Sequence, residues 1–119
     1  MARTTSAPAI GAAKEALACE YLAKQGLRLV ARNYRCRLGE IDLVMGDGPC
    51  LVFVEVRYRR GDGFGSALES ITASKRRRIQ SAAEHYLLNN PPVRDCRFDV
   101  LAISGPDRIE WLRDAFRAD

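Results

Sequence analysis

The stretch "GEIDLVMGDGPCLVFVEVRY", residues 39–58, decides how this chain folds. Two runs of β composition, residues 39–45 and 50–58, flank the turn-forming "GDGP" at 46–49, which is the signature of a β-hairpin. The runs carry three acids, Glu40, Asp42 and Glu55, among aliphatic neighbours. Burying an unpaired carboxylate is costly, so core formation does not account for them. Residues two apart share a strand face, which groups Asp42 with Val44 and Glu55 with Phe53 and Arg57. With Asp47–Gly48 as a two-residue turn, Gly46 pairs with Pro49 and Asp42 lies opposite Phe53. Asp42 and Glu55 are then diagonal neighbours on one face, and any even-numbered loop keeps them there. Glu40 is expected at the solvent rim.

Working outward, residues 9–25 predict a helix that Gly26 ends in the left-handed conformation. "LRLVARN" (27–33) predicts the strand before the hairpin. "RRGDGFGSA" (59–67) predicts a mobile loop, and residues 73–88 a second helix with Thr72 or Ser70 as N-cap. "NNPP" (89–92) stops that helix, because proline lacks the N–H donor and clashes with the preceding turn. "CRFDVLAIS" (96–104) and the short "RIEWL" (108–112) predict two more strands, and the tail a last turn. The expected order is α-β-β-β-α-β-β, an α/β fold with a central mixed sheet flanked by helices. Residues 1–9 are expected to form a loose arm and 10–119 a single domain.

On the first helix, Ala12, Ala16, Cys19, Leu22 and Ala23 form one apolar arc at 100° per residue. Glu15 falls inside that arc and is therefore aimed at the sheet. Three acids converging on one space repel one another and call for a cation. Oxygen ligands suit a hard divalent ion, Mg²⁺ or Mn²⁺. Each acid also has an ordinary alternative in a private arginine: Asp42 with Arg57, Glu55 with Arg32 or Arg59. Asp99, mid-strand in "RFDVL", is a weaker candidate.

The 119 residues suit one domain, and the formal net charge of +4 permits a polyanionic partner. Arginine dominates the basic residues, with 16 Arg against 3 Lys. Either phosphate binding or a coding bias explains that excess. The arginines cluster in "RNYRCR" (32–37), "RYRR" (57–60) and "KRRR" (75–78), with Tyr34 and Tyr58 interleaved as base-stacking partners would be. Arg35, Arg37, Arg59, Arg60, Lys75, Arg76, Arg77 and Arg78 are the candidate nucleic-acid contacts. "KRRR" opens the second helix, where cations oppose the macrodipole unless anions are close. A solvated basic face is the plain alternative.

His85, the one histidine, has no nucleophile beside it in the pattern and reads as an ordinary helix residue. No phosphate loop of the form G-x-x-x-x-G-K-[ST] is present, and "GDGFG" lacks the dinucleotide fingerprint, so ATPase and dehydrogenase readings are poor. The four cysteines are widely spaced and are expected to be reduced, small core residues. The opening "MARTTSAPAI" has no apolar run of signal-peptide type, and no stretch reaches bilayer-spanning length. A cytoplasmic location without membrane contact is expected.

"GAAKEALACEYLAKQG", "RNYRCRLGEIDLV", "VFVEVRYR", "FG", "SKRRRI" and "RFDVL", in this order, resemble the YraN-like family of small bacterial proteins. The resemblance spans roughly residues 11 to 116. That family looks like a member of the PD-(D/E)xK nuclease superfamily, with the restriction-endonuclease-like fold of archaeal Holliday-junction resolvases. The resemblance implies metal ligation by Asp42 and Glu55, with Glu15 as the helix acid. Arg57 stands where the E-x-K lysine belongs, and Lys14 where a small glycine usually precedes the helix acid. Lys75 offers a compensating ammonium. The implied catalytic set is Asp42, Glu55, Arg57 and Glu15, performing Mg²⁺- or Mn²⁺-dependent phosphodiester hydrolysis on DNA, with branched DNA as a natural target. A homodimer is implied by analogy with the resolvases. The alternatives are a nucleic-acid-binding module that has lost turnover, and a scaffold protein without nucleic acid.

Overall fold

The computed structural model describes residues 7–58, 68–92, 94–105 and 108–117, with side chains placed from residue 13 onward. Helix α1 (Ala7–Lys24) leads into strands β1 (Arg28–Cys36), β2 (Gly39–Asp47) and β3 (Cys50–Tyr58). Helix α2 (Ala73–Asn89) follows, then β4 (Cys96–Gly105) and β5 (Arg108–Phe116). The order is the expected α-β-β-β-α-β-β. The five strands lie side by side in chain order. Neighbours are antiparallel except β3 and β4, which run parallel. A parallel pair needs a long crossover, and α2 lies within it.

The helices cover opposite faces. Leu51, Phe53, Phe98 and Val100 pack against Ile79, Ala82, Ala83 and Tyr86 of α2. Leu43, Met45, Val52, Val54, Leu101 and Ile103 pack with Ala18 and Leu22 of α1. Strands buried on both faces read as continuous apolar runs, which is why "LVFVEV" and "VLAI" lack alternation. Fully burying a side chain such as Phe53 contributes about 1.5–3 kcal/mol.

Several expectations shift. Helix α1 begins at Ala7, so the expected nine-residue arm overlaps it. Its buried face centres on Ala18 and Leu22, with Leu17, Cys19 and Tyr21 beside them, whereas Ala16 and Ala23 are exposed. Small alanines score as apolar on either side of a helix, so they cannot fix its rotation. The hairpin turn is Gly48–Pro49, closed by the Asp47–Cys50 pair. Gly48 takes φ +58°, which a first central turn residue can do only readily as glycine. Strand β5 runs four residues beyond "RIEWL", to Phe116, where a terminal turn was expected. The extra length spans a register shift between Phe98 and Val100 and an Asp114 with φ +51°, which hid the strand's alternation. The four cysteines are free thiols, but three are half-buried and Cys96 is exposed, so they are not core residues. The loop expected at 59–67 lies outside the described residues. Among those residues no helix is long and apolar enough to cross a membrane.

Candidate active site

The site forms where the sheet opens. Pairing between β2 and β3 runs from Asp47–Cys50 to Leu43–Val54 and stops, although both strands continue. Beyond that point β3 stays with β4 as far as Tyr58, while β2 stays with β1 as far as Gly39. Asp42 is the first residue past the split. Ile41 and Val44 both join the α2-side core although they are three apart, so side-chain alternation breaks at Asp42. Across from it, Arg32 pairs with Leu43 and Tyr34 with Ile41, which leaves Asn33 at its level. Asn33 has φ +50°, a conformation asparagine tolerates better than a β-branched residue. The carboxylate replaces the missing ladder: the Val56 N–H donates to Asp42 Oδ2 at 2.8 Å.

The register also differs from expectation by two residues. With Val44 opposite Phe53 and Leu43 opposite Val54, one more step would bring Asp42 level with Glu55 itself, not diagonal to it. Glu55 lies on the Phe53 face with only 5% of its surface exposed. Its carboxyl is pushed up to about 7, first by burial and then by the negative charge of Asp42, against the Lys75 ammonium. A side-chain interaction with Asp42 raises it further. Glu15 is half-buried on the inner side of α1. Its pKa is raised by burial and by Asp42, opposed by a hydrogen bond with Asn33 and by the charges of Arg32 and Arg35.

Lys75 supplies the nearest cation, with Nζ 3.1 Å from Glu55 Oε2. It sits in the first turn of α2, where Thr72 is the N-cap and its Oγ1 accepts the Lys75 N–H at 3.1 Å. The same lysine is thus held at its backbone by the cap and at its tip by the carboxylate. Arg57 reaches Glu55 Oε2 at 3.5 Å. Most of its donors go elsewhere: Nε and Nη2 donate to Ser70 Oγ at 3.2 and 2.9 Å, and Nη2 to Ser70 O at 3.1 Å. It ties β3 to the segment leading into α2. A cavity of about 430 Å³ brings Glu15, Asp42, Glu55, Arg57, Lys75 and Lys14 onto one wall, with Lys14 Nζ 3.9 Å above the Tyr58 ring.

All four residues expected as catalytic therefore line one cavity. Among the described residues neither Asp42–Arg57 nor Glu55–Arg32 forms as a private pair: Asp42 accepts from backbone, Glu55 meets Lys75 and Arg57, and the Arg59 alternative lies outside the described residues. Among the described residues no three acid, histidine or cysteine side chains close on a common point. The donor set still fits a hard divalent ion in its chemistry, because Asp42 and Glu55 are crowded oxygen donors that a cation would relieve.

The basic residues divide. Lys75, Arg78, Arg35 and Arg37 line an adjoining cleft, and Glu40 bridges to Arg35 at 3.3 Å on its rim. Arg76 and Arg77 line a separate depression beside Phe116. Arg59 and Arg60 lie outside the described residues. Tyr34 is no stacking platform: it packs edge-on against Tyr86 and is hydrogen-bonded to His85 Nδ1. Asp99 belongs elsewhere, on the α1 face of the sheet. It is fully buried, and accepts from Arg97 Nε at 3.1 Å, Trp111 Nε1 at 2.8 Å and the Asp114 N–H at 2.9 Å. Sequence reasoning missed Asn33 and assigned Ser70 only a capping role. An asparagine inside a β run was the one available signal for the break at Asp42.

A family model described as "Uncharacterised protein family UPF0102" matches residues 14–103, which include every acid of the cavity. The chain is 54% identical over 114 residues to a UPF0102 protein of Nitrosococcus oceani, covering 92% of each chain. It is 57% identical over 116 residues to one of Cupriavidus taiwanensis, covering 96% of this chain and 87% of the relative. A Methylococcus capsulatus relative is 50% identical over 115 residues, covering 93% of both. The chain belongs to the UPF0102 (YraN-like) family.

Proposed function

We propose that this protein is a metal-dependent nuclease that hydrolyses phosphodiester bonds in DNA, with branched or otherwise structured DNA as its target. The observation that carries the reading is the placement of Lys75, 3.1 Å from a buried glutamate that already faces a second carboxylate. A fold has no use for crowding two acids in a cavity, whereas phosphoryl chemistry needs clustered anions beside a cation. Asp42 and Glu55 would hold Mg²⁺ or Mn²⁺, with Glu15 completing the set. Bound there, the ion would supply Lewis-acid polarisation of the phosphoryl oxygen and a lowered water pKa.

The chain's own groups take the remaining roles. The Lys75 ammonium, held beside Glu55, is the positive charge that would face the scissile phosphate, the part expected of the E-x-K lysine. Arg57 is a positioning residue, because its guanidinium fixes Ser70 and hence the start of α2. Lysine at 57 could not bridge these acceptors, so Arg57→Lys should lower any cleavage rate. That reverses the plain expectation that restoring the E-x-K lysine would raise it. Four free thiols accord with a reducing cytoplasm.

The test is incubation of labelled single-stranded, flapped and four-way DNA with Mg²⁺ or Mn²⁺. Wild type should cut at least one form, and Asp42→Asn and Lys75→Met should each lose about 10²-fold or more. One observation favours a second reading, a DNA-binding protein without turnover: the three acids do not close on a common point. Binding without cleavage of any substrate would establish that reading instead.

A further inference from the structure

The β1–β2 turn is built against turn chemistry. Cys36 pairs with Gly39, so the loop is the dipeptide Arg37–Leu38. Two-residue hairpin loops favour glycine, asparagine or aspartate with positive φ. Here positive φ among described non-glycine residues is confined to Asn33 and Asp114. Leu38 is 57% exposed at the tip, where its apolar surface contributes little to the core. Neither residue serves the turn.

The turn is nevertheless held firmly. Gly39 abuts the Arg78 carbonyl so closely that a Cβ would overlap it. The hairpin tip is therefore packed directly against the α2 backbone. Between them lies a cleft of about 390 Å³ lined by Arg35, Arg37, Lys75 and Arg78, with Glu40 as its acid. Lys75 lines both this cleft and the carboxylate cavity, which makes the two neighbours. The "KRRR" run is split by helix geometry. Lys75 and Arg78, three apart, face this path, whereas Arg76 donates to the Ile71 carbonyl at 3.2 Å and lies over the Phe116 ring.

Resting on the nuclease-fold reading above, we infer that this cleft holds a second stretch of nucleic-acid strand. Arg35, Arg37 and Arg78 bind its phosphates, and Leu38 packs against an unstacked base. An apolar tip flanked by arginine suits a frayed or branched end, where a base face is available, over continuous duplex. The site thereby selects structured DNA through a residue remote from the carboxylates.

The experiment is fluorescence anisotropy in EDTA, so that no cleavage occurs, with a forked DNA and a duplex of equal length across a salt series. Arg37→Ser/Arg78→Ser should weaken both substrates by about 10-fold or more and flatten the salt slope by roughly 1.5–2, one increment per lost phosphate contact. Arg76→Ser/Arg77→Ser removes the same charge and should change affinity by less than about 3-fold if those residues face away from the strand. Leu38→Ser should weaken forked DNA by about 5- to 10-fold and leave the duplex unchanged. Equal losses from the two arginine pairs would overturn the path, and equal losses of fork and duplex in Leu38→Ser would overturn the wedge. A wild type that binds neither DNA removes the nucleic-acid reading altogether. One that binds through this cleft yet cuts nothing removes hydrolysis and keeps the inference.

Discussion

Two buried acids on opposite faces of the same sheet have opposite surroundings. Asp99, facing α1, is saturated: one guanidinium, one indole N–H and one backbone N–H converge on it. Arg97 carries the network on to Asp47 at 3.0 Å. Glu55, facing α2, is nearly as buried but meets another carboxylate, and its cations reach it from one side of an open cavity. The first arrangement ties β4 to β5 at Asp114 and leaves the Asp99 carboxylate no exposed surface. The second stores unfavourable charge where a ligand can reach it. Burial of a charge is therefore no sign of function by itself; burial without enough donors, beside a cavity, is.

The contrast is broken most severely at Asp99. Asp99→Ala leaves Arg97 Nε, Trp111 Nε1 and the Asp114 N–H without their acceptor, and should cost about 3–5 kcal/mol in urea unfolding. A loss below about 1 kcal/mol would show that the saturated node is not structural. Next comes Lys75→Met, which among the described residues leaves Glu55 facing Asp42 with Arg57 as its remaining cation. Lys75 is partly exposed, so solvent screening limits the expected loss to roughly 1 kcal/mol near pH 8, shrinking in acid where Glu55 is protonated.

Glu55 also sets a pH dependence whose sign is fixed. Its folded pKa of about 7 lies above the ordinary 4.5, so between those values the folded state holds the proton more tightly than the unfolded chain. Its contribution is present below about pH 4.5 and is lost as pH rises through 7, with stability falling across that window. Glu55→Gln should flatten this part of the profile. The smallest effect is expected at Asp42→Asn, whose amide oxygen can still accept the Val56 N–H while the repulsion disappears. Its stability should stay within about 1 kcal/mol of wild type or rise. A large loss there would make Asp42 a structural acid like Asp99.

Much of this was legible in the sequence. Residue periodicity and turn signals point to every element in order, and Asp42, Glu55 and Glu15, expected in one space, line one cavity without closing on a common point. The parity argument survived a register error because both turns considered have two residues. What was hidden depends on departures from regular geometry. The strand split at Asp42 and the bulge at Asp114 interrupt the alternation on which strand reading relies. The division of "KRRR" into two faces needed the rotation of α2, and Arg57's attachment to Ser70 needed the path of the chain between them. Local patterns encode periodic structure well and tertiary partners poorly.

The central claim, that Asp42 and Glu55 share a divalent cation, is tested most directly by thermal unfolding of wild type, Asp42→Asn and Glu55→Gln with and without Mn²⁺ at pH 6 and pH 8. An ion that binds only the folded state raises the melting temperature, and it must displace the Glu55 proton, so its effect should be stronger at the higher pH. The account predicts a rise in wild type that is larger at pH 8 and absent in both variants. An equal response in all three proteins, or none in wild type at either pH, would contradict it.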